Sequence, residues 1–430
     1  AADSIEMPCS TCPVVNTAVV QEYPFDIYVG ANTGFLKGCR LDKQKSFNLN
    51  TVQVSQAKQF EIMCMNWWNN DESKMLVGRR DGYVFSYNPE SGSTFRVPVS
   101  VPDGSPLIKS IKSDDKLIAT AFSNGVVKCN TFDFKSQDLS SADFESTDCV
   151  DINSGADLSC MDYSASHLIA TGGKENPLKI WDLTSPKHSI FTAKNVKNDW
   201  LNLHVPVWVT NAQFVPESNK IVTTTGLSHV RLYDPSVPQR RPVIEIQLEE
   251  KFNKKYPITA LATRPNSDLQ FVVGTTVGTI ALADLRNKSF VKHYKRGTGG
   301  GIVDLKFHPT YPIFASCGMD SYLHCFDMNS SKRTHSMYLH STLNCLLFSS
   351  QLSLADSSAA SYKKPAHIKQ GHTSENNSAG DSDNDDGEDV WKGMEVVQVK
   401  KRKLKSLSSE SKQKKKRNSN KTVRGKNVAQ

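Results

Sequence analysis

One pattern recurs seven times along this chain, and a repeat of that length leaves few folds open. A small-apolar strand end is followed by a short turn closing in glycine or a polar residue, then by a second strand. It reads VGANTGFLKGCRL at 29–41, VGRRDGYVFSYNP at 77–89 and ATAFSNGVVKCNTF at 119–132. It continues as ATGGKENPLKIWDL at 170–183, TTTGLSHVRLYDP at 223–235, VVGTTVGTIALADL at 272–285 and ASCGMDSYLHCFDM at 315–328. Anchored on the residue before the second strand (Gly34, Gly82, Gly125, Pro177, His229, Gly278 and Ser321), the copies are spaced by 48, 43, 52, 52, 49 and 43 residues. Such a unit cannot bury its apolar face alone, so neighbouring copies must stack.

A further apolar strand precedes six of the hairpins: CMNWW (64–68), LIKSI (107–111), LSCMDYS (158–164), VWVTNAQFV (207–215), ITALATRP (258–265) and IVDLKFHP (302–309). The first hairpin lacks a clear one, and LNCLLFS (343–349) follows the last. This asymmetry predicts a ring whose C-terminal strand completes the first unit, which removes the open sheet edges that invite aggregation. A four-stranded propeller blade takes roughly 40–45 residues, and longer loops between blades explain the wider spacing here. The Asn-Gly and Asp-Gly turns suit tight hairpins, which need positive φ. Little before residue 350 reads as a long amphipathic helix. The expected fold is all-β, a seven-bladed β-propeller.

The net charge of +8 is uneven. Residues 391–430 hold 14 Lys/Arg against 2 Asp/Glu, and residues 351–390 hold 3 against 8. The body is therefore nearly neutral. The expected organisation is a flexible segment 1–22, a propeller over 23–350, an acidic, Ser-rich disordered linker 351–390 and a basic tail 391–430. Segments this polar bury too little apolar surface to offset the entropy of ordering. No stretch approaches the roughly 18 apolar residues of a membrane helix. AADSIEMPCSTCP, at the start, has neither the basic nor the apolar region of a secretory signal. Ten Cys in 430 residues is far below a disulfide-scaffold density, which fits a reducing compartment.

GGKENPLKIWDL (172–183) holds the Trp181-Asp182 pair, as a divergent WD repeat does. AKNVKNDWLNLHVPVW (193–208), VRLYDPSVPQRRPVIE (230–245) and the basic tail narrow the likeness. Together they resemble the WD repeat-containing protein 74 family, across about residues 25–350. The resemblance implies a nuclear and nucleolar, non-enzymatic assembly factor of the early pre-60S particle. It further implies particle proteins and pre-rRNA as partners, release by a nuclear AAA-type ATPase, a link to an exosome-associated RNA helicase, no cofactor, no membrane, and a monomer within a larger assembly. A nuclear WD-repeat adaptor for chromatin or ubiquitin-ligase complexes is the alternative. Most blades lack the Gly-His start and buttressing Asp of better-formed WD repeats.

Several groups of residues are candidates for contact. Lys400, Lys401, Arg402 and Lys403 precede Lys414, Lys415, Lys416 and Arg417 by ten residues, the spacing of a bipartite nuclear-import signal. The same run suits phosphate binding, with a solubilising charge run as the plainer reading. Ser382, with Asp385 three residues on, is a candidate site for an acid-directed kinase, or part of a spacer. Lys194, Asn195, Lys197, Asn198, Asp199 and Trp200 lie in a long inter-blade connection and suit stacking on a base or holding a peptide. Alternatively, Trp200 and Trp208 pack over the blade and the polar residues cap the loop. Arg240 and Arg241, after Pro238-Gln239, suit carboxylate or phosphate binding in a Pro-bounded loop. Cys9-x-x-Cys12 has no second pair to complete a zinc site. Cys64, Cys160, Cys317, Cys325 and Cys345 read as core, and His229, His308, His324 and His340 as structural. No P-loop, H-E-x-x-H or G-x-S-x-G motif is present.

Overall fold

The computed structural model describes residues 25–52, 58–104, 106–114, 116–132, 146–164, 166–198, 200–216, 218–248, 255–264, 269–294 and 299–352. Its strands, numbered β1 to β28 in chain order, form seven four-stranded antiparallel sheets. Each contributes one inner strand to the axis: β4 (Ile62–Trp67), β8 (Ile108–Asp114), β12 (Leu158–Ser164), β16 (Val209–Phe214), β20 (Ile258–Thr263), β24 (Ile302–Phe307) and β28 (Leu343–Phe348). Six blades take four consecutive strands. The first blade is composite: β28 pairs with β1 (Ile27–Ala31), followed by β2 (Leu36–Arg40) and β3 (Lys45–Asn48). Ile27 faces Phe348 and Gly30 faces Cys345 across the closing pair. The ring therefore closes as the asymmetry of the repeat predicts. The Cys9-x-x-Cys12 pair, Ser382 and the tail cations lie outside the described residues.

The hairpin turn between the second and third strands requires positive φ. Glycine supplies it at Gly34, Gly82, Gly125 and Gly278. In the fifth and seventh blades Ser228 (φ 65°) and Ser321 (φ 63°) take the same position, so His229 begins its strand and does not precede it. Close approach explains other glycines. A Cβ on Gly30 would lie 2.5 Å from Cγ2 of Ile62, and one on Gly274 would lie 2.7 Å from Cγ2 of Ile302. In both places the first residue of the next inner strand drops into the gap, which packs blade onto blade.

Every inner strand carries one extra residue after its first, a β-bulge relative to the second strand. Its first and fourth residues are buried in all seven blades, as with Ile62 and Met65 or Ile302 and Leu305. Beside the bulge or three residues past it, polar side chains turn to the neighbouring inner strand. Asn344 Nδ2 donates to the Ile62 carbonyl at 2.9 Å, and Asn66 Nδ2 to Ser113 Oγ at 3.0 Å. Ser110 Oγ donates to the Met161 carbonyl at 3.1 Å. The Phe214 N–H donates to Asp162 Oδ2 at 2.8 Å, and Asn211 Nδ2 to the Thr259 carbonyl at 2.6 Å. Thr259 Oγ1 donates to the Ile302 carbonyl at 2.5 Å, and the Leu346 N–H to Asp304 Oδ2 at 3.1 Å. Each of the seven blade junctions is thus bridged at the axis. Lys112 adds an ion pair to Asp162 at 2.8 Å across the junction of the third and fourth blades.

Four of the five cysteines read as core are buried, and Cys64 is half-buried beside the axis. Burial pushes the Cys64 thiol up to about 12, so it is not a nucleophile at neutral pH. His308, after β24, is fully buried. Its Nδ1 accepts from the Thr310 and Tyr311 N–H groups, each at 3.1 Å, and its ring meets Tyr311 and Phe348 edge-on. Burial lowers its pKa to about 4. The unfolded chain, with an imidazole near its ordinary value of about 6.5, takes up the proton first as pH falls. The stabilising effect of the neutral ring is complete above about pH 6.5 and is lost as pH falls toward about 4. Urea unfolding between pH 7 and 4.5 is expected to show a steeper loss of stability for the wild type than for His308→Asn. The difference should approach about 1.4 kcal/mol per pH unit, the slope of one proton.

Candidate binding surface on the fourth and fifth blades

The fourth blade ends in β15 (Ser189–Thr192), and residues 193–208 cross to β16. In the fifth blade, residues 234–243 join β18 (His229–Tyr233) to β19 (Ile244–Gln247). The two connections meet. The Lys194 N–H donates to the Arg240 carbonyl at 2.7 Å, and Arg241 Nε donates to the Asn195 carbonyl at 3.2 Å. Sequence reading picked out both loops and did not join them.

The amides of the first loop serve its own shape. Asn195 Nδ2 donates to the Val205 carbonyl at 2.7 Å, and Asn195 Oδ1 accepts the Val196 N–H at 2.9 Å. Asn198 Nδ2 donates to both the carbonyl (3.1 Å) and Oδ1 (2.9 Å) of Asn202, whose φ is 60°. Lys194, Lys197 and Arg240 stay exposed, while Arg241 is half-buried. Trp200 is 89% exposed, with Leu201 and Leu203 exposed beside it. The two tryptophans part company here. Trp208 lies against the fifth blade, where a Cβ on Gly226 would come within 2.1 Å of its ring. Trp200 covers nothing of the blade to that extent. Asp199 lies outside the described residues.

Under the joined loops is a cavity of 370 Å³ lined by Val196, Lys197, Val205, His229, Arg231, Gln239, Arg241, Pro242 and Glu245. Arg231 and Glu245 face each other across β18 and β19, and Arg231 Nε donates to Glu245 Oε1 at 2.8 Å. The Arg231 guanidinium also hydrogen-bonds the Tyr233 side chain. His229 Nδ1 lies 3.0 Å from the same Glu245 oxygen. Burial, opposed by Glu245, lowers the His229 pKa to about 4, so the ring is neutral at pH 7. Lys197, Arg231 and Arg241 thus line the cavity with one carboxylate, Glu245. His229, Arg231 and Glu245 were not singled out as binding residues from sequence. They alternate along two strands, and only the folded loop from 193–205 makes them a site.

Other hollows are chemically different. The axial channel, 230 Å³, is lined by most of the bridging residues, Asn66, Ser110, Asp162, Asn211, Asp304 and Asn344, and by Lys109, Lys112 and Lys306. A wider cavity of 750 Å³ opens between the third and fourth blades. There the Tyr163 hydroxyl lies 3.0 Å from His167 Nδ1 and 3.4 Å from Asp114 Oδ2, and burial raises its pKa to about 12. Among the described residues no group of three His, Cys, Asp or Glu side chains converges to hold a metal.

The family model described as WD domain, G-beta repeat matches residues 288–327, from the outer strand of the sixth blade through three strands of the seventh. WD repeat-containing protein 74 of Bos taurus is 36% identical over 326 residues, covering 75% of this chain and 80% of the bovine one. The Homo sapiens protein of that name matches with the same identity and coverage. Ribosome biogenesis protein NSA1 of Candida glabrata is 26% identical over 267 residues, covering 55% of this chain and 59% of the yeast one.

The Asn195 hydrogen bonds make a local test possible. Asn195→Ala removes the link to Val205 and is expected to destabilise the loop by about 1 kcal/mol. Hydrogen exchange at residues 194–205 should speed up severalfold, with exchange in the inner strands unchanged.

Proposed function

This chain belongs to the WD repeat-containing protein 74 family, and from that premise we propose that it is a ribosome-biogenesis factor acting as a scaffold on early pre-60S particles. The observation that carries the reading is the 36% identity spread over four-fifths of the relative, joined by the similarity to a protein named for ribosome biogenesis. The reaction attributed to it is assembly, not catalysis. A closed ring with bridged blades holds its loops in fixed relative positions, so a loop surface is presented to partners with little ordering left to do. Lys194, Lys197, Trp200, Arg240 and Arg241 form that surface, while Asn195 and Asn198 hold the loop that carries it. The partners are particle proteins and pre-rRNA, with a nuclear AAA-type ATPase for release and an exosome-linked RNA helicase nearby. The site of action is the nucleolus. The tail cations Lys400 to Lys403 and Lys414 to Arg417 supply nuclear import and phosphate affinity, and the 23–350 propeller supplies specificity.

Sedimentation of a nuclear extract carrying the tagged chain tests this, with the RNA in each fraction identified. Co-migration with large-subunit precursor rRNA is expected. The pair Lys197→Glu and Arg240→Glu should lower recovery at least about tenfold, equivalent to about 1.4 kcal/mol. Migration with a protein-only complex would instead favour the adaptor for chromatin or ubiquitin-ligase complexes.

A further inference from the structure

We propose that the cavity beneath the 194–205 loop is an anion subsite for a protein partner, which seats a carboxylate side chain there while its apolar residues cover Trp200, Leu201 and Leu203. The proposal rests on the reading of this surface as the one that faces the particle, and adds to it the chemistry of what binds.

The charge balance is the first argument. Lys197, Arg231 and Arg241 line the cavity against a single acidic residue, Glu245. Two positive charges are therefore in excess in a partly enclosed space, where each counts for more than on an open surface. The second argument is geometric. Arg231 is only 5% exposed and is held by Glu245, to which its Nε donates at 2.8 Å, and by the Tyr233 side chain. Lys197 and Arg241, the more exposed cations of the lining, are left to meet an incoming carboxylate with charge-assisted hydrogen bonds.

The class of partner follows from what surrounds the cavity. Trp200, Leu201 and Leu203 are exposed within four residues, and Val237 and Val243 are exposed on the adjoining loop. Nucleic-acid interfaces are polar and densely positive. Protein interfaces centre on a few anchors in which Trp and Arg are over-represented. An apolar cluster beside a cationic cavity is complementary to a protein segment that carries Glu or Asp a few residues from its own apolar side chains. The Asn195 and Asn198 hydrogen bonds hold the loop in place before the partner arrives.

Fluorescence anisotropy on the full chain at 0.15 M salt provides the test. The probes are a labelled 15-residue peptide that intersperses glutamate with leucine and phenylalanine, the same peptide with glutamine for glutamate, and a 15-nucleotide oligouridine. The glutamate peptide is expected to bind at least tenfold more tightly than the glutamine one. The basic tail attracts the glutamate peptide in every variant, so the readout is the change in that ratio. Arg241→Gln should cut the ratio severalfold. Lys197→Glu, at an exposed position, should do the same even if Arg241→Gln loosens the loop. Trp200→Ala should weaken both peptides alike, with an unchanged melting temperature. A ratio indifferent to both Arg241→Gln and Lys197→Glu overturns the subsite. Loss of oligouridine binding in Trp200→Ala with peptide binding intact overturns it in favour of RNA. If the ratio behaves as expected while precursor rRNA fails to co-sediment, the assembly reading falls and the subsite stands. Co-sedimentation with an indifferent ratio does the reverse.

Discussion

The ring of hydrogen bonds at the axis is the interaction on which the rest of this propeller depends. Stacked sheets pack through apolar side chains, and the burial of apolar surface is in itself non-directional. The bonds from Asn344, Asn66, Ser110, Asp162, Asn211, Thr259 and Asp304 are not. Each ties an inner strand to a particular backbone group or side chain of the next. The bulge at the second position of every inner strand lets the chain do this while the first and fourth residues stay in the core. Where the polar residue is buried, its bond also removes the penalty of burying it. Asp304 illustrates the balance: burial raises its pKa, and Lys306 and the Leu346 N–H oppose that rise.

Much of this was legible in the sequence because burial writes a pattern. The second strand of each blade is buried nearly throughout, as in IVTTT at 221–225, and the turn after it takes glycine in four of the seven blades. The missing first strand and the surplus last one announced the closure. The outer strands left no such trace. KSFN at 45–48 is exposed at all four residues, so burial writes no pattern into it. The fifth-blade turn reads one residue late, at His229, because Ser228 adopts the conformation that glycine marks elsewhere, whereas Ser321 of the seventh blade is read in place.

The binding surface was legible in half. A long loop with Lys197 and Trp200 and a Pro-bounded loop with Arg240 and Arg241 stand out as exposed chemistry. Their union depends on two backbone-directed hydrogen bonds, which no residue type advertises. Arg231 carried no signal either, since an arginine on a strand reads as a solvated edge until a distant loop covers it. His229 shows the same limit from the other side. Its environment, not its neighbours in the chain, decides that it stays neutral at pH 7.

The composite first blade has a consequence for how the chain is made. Its inner strand is β28, so β1 waits for a partner more than 300 residues downstream. At roughly 5–20 residues per second, the chain takes on the order of 15–60 seconds to reach that partner during translation. Throughout that interval the strand Ile27–Ala31, buried at every residue in the finished ring, has no inner neighbour. The nascent body is a row of blades with an apolar strand edge at its start, the kind of edge that recruits other chains. The described ring leaves no inner strand unpaired, yet the chain must pass through a long period of vulnerability on the ribosome, the machine whose large subunit it is proposed to help build.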